Sequence, residues 1–254
     1  MANNEYTIMS FNLLFGATKS GSYPDEYARR EAVITQIKET APDTLGVQEC
    51  NYEWYDILCE DLADEYDVVG ELTNYEYLPW RNAVFYRKER FELVATKTYW
   101  LTDTPEVMSK TPFSKQFRTV TCATLKDKKT GKTVTHCNTH MGFLVDEKPI
   151  QYGALLKVLG NFAHPLLLTG DFNTKFETEN WCSMIEESGY VSAFHLTDDH
   201  DEQSSYRGGV GHIDHCFCTD DTLDVISHRL LGDTVNGVAP SDHKALVVKY
   251  SIID

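Results

Sequence analysis

The 254-residue chain is 42% hydrophobic and 24% charged, the balance of an ordinary soluble globular protein long enough to bury a sizeable core. Its 39 acidic and 23 basic side chains leave a net charge of −16, a field that opposes any partner gripped through many phosphates and so disfavours duplex nucleic acid. No stretch approaches the ~20 consecutive apolar residues of a membrane span, and Met1 to Glu5 lacks the pattern of a secretory leader, so the expected compartment is the cytoplasm, or outside the cell if a leader has been removed.

Tyr6 to Leu14 alternates as a strand, with Ile8, Ser10 and Asn12 on one side and Met9, Phe11 and Leu13 on the other. A loop through Gly16, Ser20, Gly21 and Ser22 leads to Pro24 and Asp25, which open a helix striped by Tyr27, Val33, Ile34 and Ile37; Ala41, Pro42 and Asp43 stop it. Thr44 to Gln48 reads as a second buried strand ending in Glu49. Trp54, Ile57, Leu58 and Leu62 mark the next helix, and Tyr66 to Gly70 a short strand. Leu72 to Trp80 is a loop whose Tyr75, Tyr77 and Trp80 suit either the lining of a substrate pocket or the cover of a sheet edge.

Ala83 to Tyr86, Phe91 to Leu101, Arg118 to Leu125 and Thr133 to Thr139 follow as strands joined by short turns, which points to one antiparallel run. Lys126, Lys128, Lys129 and Lys132, the one basic cluster, read as a solvated hairpin turn. In the last of these strands His136, Asn138 and His140 alternate with Thr135, Cys137 and Thr139. A helix marked by Leu155, Leu156, Leu159 and Phe162 leads into Leu166, Leu167 and Leu168, a strand buried on both faces. Gly170 is read as breaking that strand and delivering Asp171 and Asn173 to the rim of a sheet. Trp181, Met184 and Ile185 form another helix, and Asp198 to Glu202 an acidic exposed loop. Ile213 to Cys218, Thr222 to Leu230 and Ala245 to Ile252 are the remaining strands, with Ser241, Asp242 and His243 just ahead of the last. No tandem repeat, low-complexity tract or linker divides the sequence, so residues 1–254 are read as one domain.

Seven cysteines, odd in number and irregular in spacing, read as reduced thiols. His212, His215, Cys216 and Cys218 have the residue types of a zinc site. In a strand, however, His212, Asp214, Cys216 and Cys218 share one face and His215 the other, so they do not easily converge.

Polar residues recur where strands end: Asn12, Glu49, His140 with Asn138, Asp171 with Asn173, Asp214, and Asp242 with His243. One His or Asp at a strand terminus is usually a satisfied loop residue; six such places in one chain are harder to account for that way. The segments that carry them resemble the endonuclease/exonuclease/phosphatase superfamily, a group of nucleases, phosphodiesterases and phosphatases. They are Met9 to Leu14, Gly46 to Cys50, Asn138 to Met141, Thr169 to Asn173, His212 to Phe217 and Ser241 to His243, in the family's order and across nearly the whole chain. Trp100, Leu101, Thr102 and Pro105, with Arg118 and Thr119, look like its compact bacterial hydrolases. The resemblance implies an α/β fold, a four-layer α/β/β/α sandwich of two packed mixed β-sheets flanked by helices.

It also implies roles. Glu49 is expected to be the principal ligand of Mg²⁺ or Mn²⁺, with Asn12 beside it and Asp242 in the metal region. Mg²⁺ takes oxygen ligands and binds through one or two carboxylates plus water and substrate phosphate. Asp171 and Asn173 would orient or activate the attacking water, and Arg118 and Asn138 would contact the substrate; an arginine that only bridges two strands is the alternative for Arg118. His243, fixed by Asp214, and His140 would move the proton and stabilise the pentacovalent transition state, since an imidazole pKa of ~6.5 lies near working pH. Spacing does not say which histidine is the base.

Two departures stand out. Relatives carry a Glu-Tyr pair whose carboxylate orients the histidine matching His140; here Trp80, Arg81 and Asn82 occupy that approach, while Glu76 and Tyr77 lie earlier. His215 and His212 stand where relatives often have Tyr and Arg. The expected function is divalent-metal-dependent hydrolysis of a small or lipid-like phosphate ester, as a phosphodiesterase or phosphatase, by in-line attack of a His/Asp-activated water. A nuclease on single-stranded nucleic acid is the alternative within that chemistry, and a non-catalytic binding module on the same fold the alternative of another class. The completeness of the set Asn12, Glu49, His140, Asp171, Asn173, Asp214, Asp242 and His243 favours the enzyme.

Overall fold

Alternation in the first strand sets the layering. In a computed structural model, which describes residues 5–15, 26–76, 78–112, 114–163, 165–176, 180–209 and 211–253, Tyr6 and Ile8 of β1 (Glu5–Asn12) enter one buried cluster while Met9 and Phe11 enter another. A strand apolar on both faces must be covered on both, so β1 lies inside its sheet and its sheet inside a sandwich. The first sheet also contains β2 (Thr44–Cys50), β3 (Tyr66–Val69), β4 (Arg81–Arg87), β11 (Leu223–Leu230) and β12 (Leu246–Ile252), in the order β11-β12-β1-β2-β4-β3. The second comprises β5 (Phe91–Trp100), β6 (Thr119–Asp127), β7 (Thr133–His140), β8 (Leu166–Asp171), β9 (Val191–Ser192) and β10 (Asp214–Cys218), in the order β5-β6-β7-β8-β10-β9. In each sheet one pair is parallel, β1 with β2 and β7 with β8, and each parallel pair is joined through a helix, α1 (Glu26–Thr40) and α3 (Lys148–Leu159) respectively.

Helices α1 and α2 (Tyr52–Asp61) bury Val33, Ile37, Trp54 and Leu58 against Phe11, Leu45 and Val47 on the outer face of the first sheet. Asn51 caps α2 by accepting from Trp54 N at 2.9 Å. On the other side α3 and α4 (Trp181–Glu187) bury Leu155, Val158 and Ile185 against Cys137, Leu168 and Phe217. Between the sheets, Ile8, Val84, Tyr86, Phe91, Leu125, Leu167 and Val248 form the central layer. The result is the four-layer α/β/β/α sandwich with two mixed sheets. The three leucines of β8 divide as the layering requires, Leu166 and Leu168 under helices and Leu167 between sheets.

Three expectations need correction. The run from Ala83 to Thr139 is not one antiparallel ribbon: β4 pairs with β2 and β3 in the first sheet, and the chain crosses to the second sheet between β4 and β5. Gly170 does not break its strand. It sits inside β8 at φ +155°, where a Cβ would lie 2.1 Å from Thr139 O, so glycine lets β7 and β8 stay paired up to Asp171. Asn138, expected to contact the substrate, is turned into the layer between the sheets. It is fully buried between the sheets, donating through Nδ2 to Val47 O (2.9 Å) and Ala83 O (3.0 Å) and accepting at Oδ1 from Gln48 Nε2 (2.6 Å). Gly46 is the space this needs, since a Cβ there would lie 2.7 Å from Asn138 Cγ.

The zinc-like group separates as strand alternation requires, with Cys216 and Cys218 in the central layer and His215 on the other face against Phe172 and Phe217. All seven cysteines are free. No described helix is long and apolar enough to cross a membrane. The loop through Gly16 to Ser22, the helix start at Pro24 and Asp25, and Tyr77 lie outside the described residues, as does the side chain of Tyr27.

Truncating Asn138 would remove its bonds to Val47 O, Ala83 O and Gln48 Nε2, of which the last keeps Ser10 Oγ at 3.0 Å, and a buried polar group that loses its partner costs about 1–3 kcal/mol. Asn138→Ala is therefore expected to lower unfolding free energy by about 3 kcal/mol or more in urea denaturation, and a loss below about 1 kcal/mol would show that the bracket is dispensable.

Candidate active site

Register places the chemistry. Strand β7 ends on His140 and β8 on Asp171, which pair with each other, and Asp171 pairs on its other side with Asp214 at the start of β10. Three functional side chains thus stand abreast at one edge of the second sheet. The first sheet contributes Asn12 at the end of β1 and Glu49 near the end of β2. Glu49 adopts φ +55° at the point where pairing of β2 with β4 slips, so its carboxylate leaves the strand's alternation. Asn173 is likewise left-handed, at φ +48°. Such backbones are costly for non-glycine residues and collect at functional sites. Ser241 ties the last contributor in: its Oγ donates to Asn12 O at 2.6 Å and accepts from His243 N at 3.2 Å.

The carboxylate of Asp171, 2% exposed, is the hub. Its Oδ2 accepts from Asn12 Nδ2 at 3.0 Å and lies 3.4 Å from His140 Nε2 and 3.7 Å from His243 Nε2, while Oδ1 accepts from Asn173 N at 2.9 Å. His243 Nδ1 donates to Asp214 Oδ2 at 2.8 Å, and the Tyr206 ring packs 5.1 Å from the imidazole. Asp214 is steadied in turn by Ser205, whose Oγ accepts from its backbone N at 3.1 Å. Glu49 joins through Asn12, whose Nδ2 lies 3.4 Å from Oε1, and through Phe15, whose N–H donates to Oε2. Glu49 and His243 therefore share one cleft, linked through Asn12 and Asp171.

Burial acts on the two histidines in the same direction, and their neighbours decide otherwise for one of them. Around His243 burial opposes the charged ring, but the carboxylates of Asp214 and Asp171 and the bond to Asp214 outweigh it and push its pKa up to about 10. At His140 burial is the largest influence, the positive charges of Arg118 and His243 add to it, and the pKa falls well below the ordinary imidazole value. Burial also pushes Asp171 up, to about 7, with the charge of Asp214 adding and that of His243 opposing. Before substrate binds, His243 thus carries the proton and His140 is neutral. Asn173 Nδ2 donates to Met141 O at 2.9 Å, which sets the amide's orientation and turns its other hydrogen toward His140 Nε2 at 3.2 Å. Nε2 then accepts, and the His140 proton is assigned to Nδ1.

Asp171, Asp214 and His243 are the one trio of His, Cys, Asp or Glu among the described residues with ligand atoms mutually within 4.8 Å. The Nδ1–H of His243 is already committed to Asp214, which leaves its Nε2 toward Asp171. Glu49, half-buried, and Asn12 present side-chain oxygens of the kind a hard cation takes. Asp242 lies beside His243 with its carboxylate 3.2 Å from Ser241 Oγ. Arg118 is buried, which lowers its pKa, while Asp171, Glu49 and Glu147 work the other way; its Nη2 donates to Gln116 Oε1 at 2.6 Å.

Sequence reasoning missed several supports. Ser205 and Tyr206 brace Asp214 and His243, and Lys148, itself buried, donates to Asn173 O at 3.1 Å. Nothing in the pattern marks Ser205 or Lys148. Of the aromatic loop, Tyr75 is exposed, whereas Trp80 is buried against His140. Glu76 is exposed, and His140 Nδ1 has no hydrogen-bond partner among the described residues.

The Endonuclease/Exonuclease/phosphatase family model matches residues 9–243. The fold is similar to that of an endonuclease/exonuclease/phosphatase from Bacteroides vulgatus (TM-score 0.87, 22% identity, 98% of this chain and 99% of that one). It is also similar to the mannosyl-6-phosphatase Bt3783 of Bacteroides thetaiotaomicron (TM-score 0.84, 21% identity, 98% and 100%) and to the human Nocturnin catalytic domain with bound sulfate (TM-score 0.82, 22% identity, 98% and 95%). Among curated proteins no relative matches at the sequence level.

A folded-state pKa of about 10 at His243, above the ordinary ~6.5, stabilises the fold below pH ~6.5 and is lost as pH rises through 10. Urea denaturation of the metal-free protein is expected to show stability falling more steeply from pH 7 to 10 in the wild type than in His243→Gln; parallel slopes would contradict a charged His243.

Proposed function

Because the chain belongs to the endonuclease/exonuclease/phosphatase family, we propose that it is a divalent-metal-dependent hydrolase of small phosphate esters. The observation that carries this reading is the Asp171 carboxylate held at once among Asn12, Asn173, His140 and His243. A scaffold without chemistry has no need of a buried charge network with strained backbone at Glu49 and Asn173.

Glu49 and Asn12 would hold Mg²⁺ or Mn²⁺, which when bound neutralises charge on the phosphoryl oxygens. The protein supplies the rest. Asp171, its proton affinity raised toward neutrality by burial, accepts a proton from the water that attacks phosphorus, and Asn173 fixes the direction of approach. His243, protonated and held by Asp214, gives its proton to the departing oxygen. Asp171 then passes the water's proton to His243 across 3.7 Å, which restores the starting state. His140, neutral, and Arg118 stabilise the phosphoryl group by position and charge.

The net charge of −16 supports a compact substrate over a polyanion. Likeness in fold to a mannosyl-6-phosphatase is in keeping with a small phosphorylated molecule.

Hydrolysis of p-nitrophenyl phosphate and bis-p-nitrophenyl phosphate is the test. EDTA is expected to abolish turnover and Mg²⁺ or Mn²⁺ to restore it, and Glu49→Gln and His243→Ala each to lower kcat/KM by about 10³-fold or more in folded protein. Turnover indifferent to EDTA and to both substitutions would overturn the proposal, as would a wild type inert on phosphomonoesters, phosphodiesters, phospholipids and oligonucleotides alike.

A further inference from the structure

The ring of Trp80, 3% exposed, packs against three residues of different kinds. His140 lies nearly parallel to it, with centroids 5.9 Å apart and planes 18° from parallel. The guanidinium carbon of Arg118 is 5.5 Å from the ring centre, and Phe15, whose N–H holds Glu49, packs edge-on at 5.6 Å. The backbone is pinned on both sides of the ring. Trp80 O accepts from Thr73 N at 2.8 Å, and the next residue begins β4.

The unpaired polar atoms of these side chains are all N–H donors: Trp80 Nε1, Arg118 Nε and Nη1, and His140 Nδ1, each buried without a partner among the described residues. A buried donor without an acceptor is uncommon in a folded protein, and four of them around one ring, with a guanidinium charge among them, form a place deficient in acceptors. Anionic oxygens are acceptors that would suit such a place. Water would serve the donors equally well, but all four are closed to solvent, with the Trp80 ring packed against both His140 and Arg118.

We propose that Trp80 is a positioning residue that keeps water from Arg118 and His140, so that their N–H groups and charge act unscreened on the oxygens of a dianionic phosphomonoester. This inference rests on the phosphoester reading and narrows it. A guanidinium held dry attracts a dianion more than the single charge of a diester, so Trp80 favours monoesters. A carboxylate at position 80 would have the opposite effect, pairing with Arg118 and occupying the donors.

The test compares Trp80→Phe, Trp80→Leu and Trp80→Glu. In Mg²⁺-loaded protein, Trp80→Leu and Trp80→Glu are expected to lower kcat/KM for p-nitrophenyl phosphate about 100-fold but for bis-p-nitrophenyl phosphate only about 10-fold, while Trp80→Phe stays within about 5-fold on both. A purely structural role would lower both substrates equally. Inorganic phosphate affinity by calorimetry, which needs no turnover, is expected to fall at least tenfold in Trp80→Leu and to be retained in Trp80→Phe. If phosphate affinity depends on Trp80 in a protein that hydrolyses nothing, the hydrolase reading fails and the positioning role stands. If the enzyme is active and Trp80→Leu and Trp80→Glu keep both the substrate ratio and phosphate affinity, the inference falls alone. Should Trp80→Leu or Trp80→Glu not fold, Arg118→Gln must reproduce the loss of monoester preference, and its failure to do so is equally fatal.

Discussion

Two sheets that touch only through apolar side chains are free to slide, and a cleft built from the ends of strands in both would slide with them. Asn138 prevents this. From β7 it reaches across to carbonyls of both β2 and β4 and receives an amide from Gln48, and Gly46 has no side chain because the reach is so short. Directional hydrogen bonds in a dry layer fix an offset that dispersion forces leave open. With the offset set, Asn12 and Glu49 on one sheet face His140, Asp171 and Asp214 on the other, and Asn12 can bond Asp171 across the gap.

Electrostatics then divides labour among residues that spacing alone treats as equals. Asp214 and Asp171 make His243 a cation, while Arg118 and His243 help keep His140 neutral. The two imidazoles differ because of what faces them through space. Buried charge opposes folding unless it is compensated, and two of the carboxylates here are met by elements from elsewhere in the chain: Asp214 by the segment before β12, and Glu49 by an amide just after β1.

Much of this was legible in the sequence, for identifiable reasons. Period-two alternation in Tyr6 to Leu13 divided the two faces of β1 correctly, and the continuous leucine run of β8 announced a strand covered on both sides. Polar residues at strand ends led to Asp171, Asp214 and His243, which do meet. What escaped depends on partners distant in sequence. Alternation told which face Asn138 occupied but not that this face is a seam at that depth. The sheet to which Ala83 to Tyr86 belongs is decided by its pairing with β2, not by the short turn that follows it. An aromatic loop flagged Trp80 only as one ring among three, and its place between His140 and Arg118 follows from the packing of β4 against β6 and β7. The bulge that turns out Glu49 leaves no mark in the residues around it.

The bond from Ser241 to Asn12 joins positions 229 apart, and β1 finds its second neighbour only when β12 inserts beside it. On the ribosome, β1 is made early and waits with one edge open while most of the chain emerges. The segment that closes that edge is also the one that brings His243. A chain that has not yet reached that segment lacks both the second neighbour of β1 and the imidazole that pairs with Asp214.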